Sequence, residues 1–271
     1  MKLDLSPFPH VYVPDFLDAK TCRSLIDNWP QCREPEGDLD RSLFELIHDD
    51  KLLDMPPFWD DAARRIVHPM LLSIAAAFGP FIGLRDRRRT IPLTIHRLMC
   101  LEAGNNFVEH TPHAHIGAKN WVFTFLLYLE DMGREDRGTT LYGIRDLNFE
   151  MERKAIYAGT QPSGRVFPAF SAPFKQGTLV AFYDCPLSIH GSTPFVGNSA
   201  GRKLLRGHIA LNFAPRKHDM KAPRAFLSGK IPQRQPMFSF PAFNEHSPSR
   251  RRFWQWRRNS YSSGSRPTRP A

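Results

Sequence analysis

The sequence predicts a mainly β protein, a jelly roll with helices packed outside it, and two observations predict it. From about residue 91 to 213 the chain runs in short apolar stretches, rich in aromatic and β-branched residues and punctuated by Gly and Pro. Before them, residues 57–78 carry Phe58, Ala62, Ile66, Met70, Ile74 and Phe78 at near-helical spacing, with Pro57 suited to a first turn.

The elements follow in order. Val11-Tyr-Val13 reads as a strand, and a helix begins near Asp18 and ends before Pro30. Residues 34–40 form a polar, acid-rich loop, and residues 57–78 form one helix whose apolar stripe packs on the sheet. Arg85-Asp-Arg-Arg-Arg89 is a solvated basic turn before the strand Ile91–Met99. Trp121–Leu129 is the central apolar strand. Residues 144–173 are expected to be irregular, with a loop at 157–164 where substrate choice would reside. A turn at Gly177 precedes an apolar strand to Phe182, and Arg202–Phe213 forms a basic strand.

Composition narrows the class. With 41% hydrophobic and 24% charged residues over 271 positions, the chain can bury a sizeable core. Cys22, Cys32, Cys100 and Cys185 show no C-x-x-C spacing, which points to free thiols in a reducing compartment. The N-terminus lacks the pattern of a secretory signal and no run of 18 apolar residues occurs, so no transmembrane segment and a cytoplasmic location are expected. The net charge of +10 is uneven: residues 215–271 hold 13 Lys and Arg against Asp219 and Glu245, leaving 24 basic and 25 acidic residues in 1–214. Two regions are therefore expected, a single domain over 1–214 and a basic, extended or disordered tail over 215–271.

Chemistry concentrates at Thr111-Pro-His-Ala-His-Ile-Gly-Ala-Lys119, which leads into the central strand. On an extended chain positions i and i+2 share a face, so His113 and His115 can reach one ion. His110 has the opposite parity, and His96 reads as a core or rim histidine. The third ligand is His190, in Ser188-Ile-His-Gly191 after the strand from Gly177.

This order, His-x-His, a long sheet-rich interval, a lone His and then a strand-borne Arg, resembles the iron(II)- and 2-oxoglutarate-dependent oxygenases, particularly the prolyl-hydroxylase-like branch. Pro112–Lys119 with Phe125–Leu129 is similar to that family's Pro-His-x-Asp segment and following strand. Gly177–Phe182 with Ser188–Gly191 is similar to the segment carrying its distal ligand, and Pro7–Leu17 to its start. The likeness covers about residues 7–214. One departure stands out: His115 occupies the place of the family's carboxylate, with Glu109 and Asp184 as carboxylates near enough in sequence to compensate.

The resemblance implies a double-stranded β-helix, cupin-like, with Fe(II) held by His113, His115 and His190. It implies 2-oxoglutarate as cosubstrate, its carboxylate paired by Arg202 as first choice or Arg206, four residues on along the same face. The reaction implied is hydroxylation or another oxidation of a small-molecule or peptide substrate. Two further readings stay open: a three-histidine dioxygenase that needs no keto acid, and a barrel that has lost catalysis and serves as a binding module. Basic residues interleaved with Phe253, Trp254 and Trp256 in the tail suit weak contact with nucleic acid or an anionic surface.

Overall fold

The structure, a computed structural model, describes residues 1–30, 43–48, 51–52, 55–79, 90–103, 121–131, 138–145, 166–184, 188–192, 202–211 and 237–239. The expected loops at 34–40, 85–89 and 157–164 therefore lie outside the described residues, as do His110, His113 and His115.

The described chain is mainly β, with antiparallel pairing dominant and few helices. In chain order the elements are β1 Leu3–Asp4, β2 His10–Val13, α1 Ala19–Asp27, β3 Leu43–His48, β4 Lys51–Leu52, α2 Pro57–Ala62, α3 His68–Phe78, β5 Thr90–Ala103, β6 Trp121–Tyr128, β7 Thr139–Ile144, β8 Val166–Ser171, β9 Leu179–Tyr183, β10 His190–Ser192, β11 Arg202–Leu211 and β12 Met237–Ser239. The large sheet runs β1-β2-β9-β6-β11-β5-β3-β4, and β12 pairs β5 in parallel. A small sheet runs β10-β7-β8. Chain contacts divide the protein into Met1–Phe240, which includes β12, and Pro241–Ala271.

Strand parity sorts the core into two layers. One face of the large sheet contributes Met99, Tyr128, Val180 and Leu204, which pack with Ala172 and Phe174 beyond β8. Phe182 on the same face packs with Phe8 and with Leu141 of β7. The opposite face meets the helices: the Phe78 ring at the end of α3 lies 5.9 Å from Phe123 and 6.4 Å from Tyr183. Tyr128 ties the two sheets, its hydroxyl 2.7 Å from Thr139 Oγ1 and accepting from the Thr139 N–H at 2.8 Å.

Helix α1 starts where expected, because the Asp18 side chain accepts from the Thr21 N–H at 2.8 Å as an N-cap. The helix read over 57–78 is interrupted by a π-helical turn, Ala63–Val67, between α2 and α3. Pro69 lacks the N–H that would reach the Arg65 carbonyl and its ring crowds that oxygen, so the preceding turn widens and the His68 N–H bonds to Ala63 instead. The widened turn also resets the stripe: Trp59, Ala63, Val67 and Leu71 are buried beside Met70, Ile74 and Phe78.

The expectation of irregular chain over 144–173 needs correction, because Val166–Ser171 forms β8. Pro168 disguises it. A proline cannot donate to a ladder, but among the described residues β8 pairs only with β7, and the register slips beside the Tyr142–Pro168 pair, which accommodates the missing donor.

Candidate functional site

The interior face of the large sheet carries a row of directly opposed residues: His10 on β2, Phe182 on β9, Thr124 on β6, His208 on β11 and Arg97 on β5. Arg206 stands one step along β11 on the same face, opposite Leu126 and Met99. Polar and charged groups on a buried face are costly unless satisfied, so their partners carry information.

The centre is Thr124, whose hydroxyl lies 3.1 and 3.0 Å from the two carboxylate oxygens of Asp184 and 2.9 Å from His208 Nδ1. All three residues are buried. A hydroxyl has one proton and a carboxylate only accepts, so Thr124 donates to Asp184 and His208 must donate from Nδ1. The chain of bonds fixes the imidazole and leaves its lone pair on Nε2 in the neutral ring. Arg206 keeps part of its surface exposed while its Nε is sealed from solvent. Burial pushes its guanidinium down to about 10, Asp184 acting to raise it and Arg97 to lower it.

Bulges cluster around this row. His96 is the extra residue of β5 where the register with β11 shifts between His208 and Ile209, and Val122 is the extra residue of β6 one step further. Such bulges bend strands and re-aim side chains beside sites. At the neighbouring Gly207, an added Cβ would lie 2.2 Å from Phe125 Cε1, so the glycine allows the Phe125 ring to lie across β11.

His190 belongs to the small sheet, at the head of β10 opposite Leu141. It is buried, and its Nδ1 lies 2.9 Å from the Ser188 carbonyl, which can only accept. Its Nδ1 therefore carries the proton and Nε2 the lone pair, the form a metal ligand needs. The ring lies 4.3 Å from that of Phe182, which places it against the interior face of β9. His10 repeats the pattern, with Nδ1 2.9 Å from the Phe8 carbonyl and its ring 5.0 Å from Phe170.

Of the residues expected to form a site, His190 and Arg206 thus belong to the described interior, while Arg202 is half-buried at the start of β11, opposite Ala103. Asp184, expected only as a compensating carboxylate, is bound to Thr124. Among the described residues no group of three or more His, Cys, Asp or Glu side chains is arranged to hold a metal ion. The Thr124–Asp184–His208 chain was missed by the sequence reading. Its signals were a polar residue inside the apolar run 121–129 and a histidine sharing parity with Arg206.

No protein-family model matches the chain, and no curated protein matches it at a significant level. Solved structures similar to it include AviO1 from Streptomyces viridochromogenes, at 18% identity and TM-score 0.45 over 76% of this chain and 91% of that one. Another is an oxidoreductase of the 2OG-Fe(II) oxygenase family from Burkholderia pseudomallei, at 16% identity and TM-score 0.45 over 77% and 88%. A third is HygX from Streptomyces hygroscopicus with nickel and 2-oxoglutarate bound, at 12% identity and TM-score 0.45 over 75% and 83%. At that degree of overlap none of their ligands or residue roles transfers to this chain. Among the described residues no helix is long and apolar enough to cross a membrane.

Proposed function

We propose that the chain is an iron(II)- and 2-oxoglutarate-dependent oxygenase on a double-stranded β-helix, with His113, His115 and His190 as metal ligands and Arg206 as the carboxylate clamp. The observation that carries the reading is the placement of His190 and Arg206 on facing sheets. His190 contacts Phe182, Phe182 packs near Leu126, and Leu126 stands directly opposite Arg206. A nitrogen donor and a half-buried guanidinium therefore look into one interior from two sides.

The donor set fits the group. Imidazole suits iron(II), and the bond from His190 Nδ1 to Ser188 holds the ring while keeping Nε2 basic. The guanidinium fork of Arg206 matches a carboxylate in two parallel hydrogen bonds. Arg206 replaces Arg202 as first choice because a clamp inside the sandwich meets a desolvated carboxylate, where the pairing is strongest. Iron(II) with 2-oxoglutarate and oxygen supplies the oxidation of a C–H bond. The chain's own part is to orient these groups, and Phe182, Leu126 and Phe170 line the interior to exclude water. With His115 in place of a carboxylate, the three ligands are neutral and the ion keeps its full charge toward an anionic keto acid.

Anaerobic titration of the iron(II)-loaded protein with 2-oxoglutarate tests this reading through the visible charge-transfer band of the chelate. The band is expected in the parent protein and in Arg202→Gln, and strongly weakened in Arg206→Gln. Iron uptake with no band would favour a three-histidine dioxygenase without keto acid, and no uptake would favour a binding module.

A further inference from the structure

Two guanidinium groups, Arg206 and Arg97, share the interior face of the large sheet with the carboxylate of Asp184, and by register Glu45 of β3 stands opposite Met99 on the same face. Asp184 is tied into place by Thr124, itself bonded to His208, and His208 stands opposite Arg97 across the β5–β11 ladder and two residues along β11 from Arg206. The backbone supports the same position, the Asp184 N–H donating to the Val122 carbonyl at 3.0 Å beside the β6 bulge. A buried, pinned charge cannot move aside or be screened as a surface charge is.

We propose that Asp184 is a specificity-determining residue, a resident counter-charge that sets how strongly the Arg206 site takes an anion and favours ligands of lower negative charge. Before a ligand arrives, its carboxylate offsets the two cations. An incoming carboxylate at Arg206 is drawn by the same cations and repelled by Asp184, and a ligand bearing two negative charges is repelled more. The neutral ligand set proposed at the metal adds no further negative charge to that of Asp184. This inference rests on the reading of Arg206 as an anion clamp and adds the residue that limits it.

The test uses the full chain with Asp184→Asn, the second neutral variant Asp184→Ser, and Asp184→Glu as the charge-retaining control. Sulfate and 2-oxoglutarate are the probes, read by ligand-dependent thermal shift and by calorimetry. Removing the charge is expected to lower the melting temperature without ligand and to tighten both anions by roughly tenfold or more, as expected for a charge interaction in a partly desolvated site. Asp184→Glu stays near the parent value. A gain in affinity is an outcome that simple structural damage does not give. Equal or weaker anion binding in both neutral variants would overturn the role of Asp184 while leaving the keto-acid reading intact if Arg206→Gln still abolishes 2-oxoglutarate binding. If 2-oxoglutarate binds neither protein, the keto-acid reading fails, and the sulfate shifts alone decide the role of Asp184: larger in the neutral variants supports it, equal overturns it.

Discussion

The hydroxyl of Thr124 on β6 lies 2.9 Å from Nδ1 of His208 on β11, 84 residues away in sequence, while meeting both oxygens of Asp184. One methyl-sized polar group thus satisfies an imidazole and a carboxylate inside a sheet sandwich. Its contribution lies mainly in what its absence would leave exposed to an apolar interior.

Thr124→Val keeps the shape and removes the hydroxyl, so Asp184 and His208 lose a shared partner. A loss of about 1–3 kcal/mol is expected, the cost of leaving buried polar groups poorly satisfied. Thr124→Ser should retain most of the stability. Urea denaturation of the two variants checks the pair.

Gly207→Ala drives a Cβ to within 2.2 Å of Phe125 Cε1 and 3.0 Å of the Arg97 carbonyl oxygen. Phe125 is fully buried, so the ring has little room to retreat. The expected cost is about 1–3 kcal/mol of overpacking. Phe125→Leu combined with Gly207→Ala should recover part of it, giving a favourable coupling in a double-mutant cycle.

Alkaline stability should carry the signature of Tyr128. Burial pushes its phenol from 10.0 up to about 12. The unfolded chain releases this proton first as pH rises, so the contribution is intact below 10 and is lost between 10 and 12. Tyr128→Phe should be less stable at neutral pH, through loss of the bonds to Thr139, yet show a shallower decline over that interval in denaturation curves at stepped pH.

Cys22 should be chemically silent in the native protein. Desolvation pushes its thiol from 9.0 up to about 11, and the thiolate is the reactive form. Mass-spectrometric footprinting with a thiol reagent at mildly alkaline pH should label Cys22 only under denaturing conditions.

Much of the architecture was legible because local pattern and burial agree. Asp18 capped α1, the apolar runs at 121–129 and 177–182 became β6 and β9, and Arg202–Phe213 supplied β11. What failed was context. Pro168 hides β8 unless one knows that the strand lies at an edge, and Pro69 widens a helix that periodicity alone draws straight. The site divided in the same way. His190 and Arg206 were visible as residue types, but preferring Arg206 to Arg202 needs the register that puts it beside Leu126 and Met99. The Thr124–Asp184–His208 chain joins β6, β11 and the residue just past β9, distant from one another in sequence, and no spacing rule reports it.

The central claim is that His190 completes a three-histidine iron site with His113 and His115. Anaerobic loading with iron(II), followed by removal of loose metal and elemental analysis, tests it most directly. The parent chain should retain about one iron per chain, and His190→Ala, His113→Ala and His115→Ala should each retain little, as expected when a site loses one of three imidazoles. Undiminished iron in His190→Ala would contradict the account.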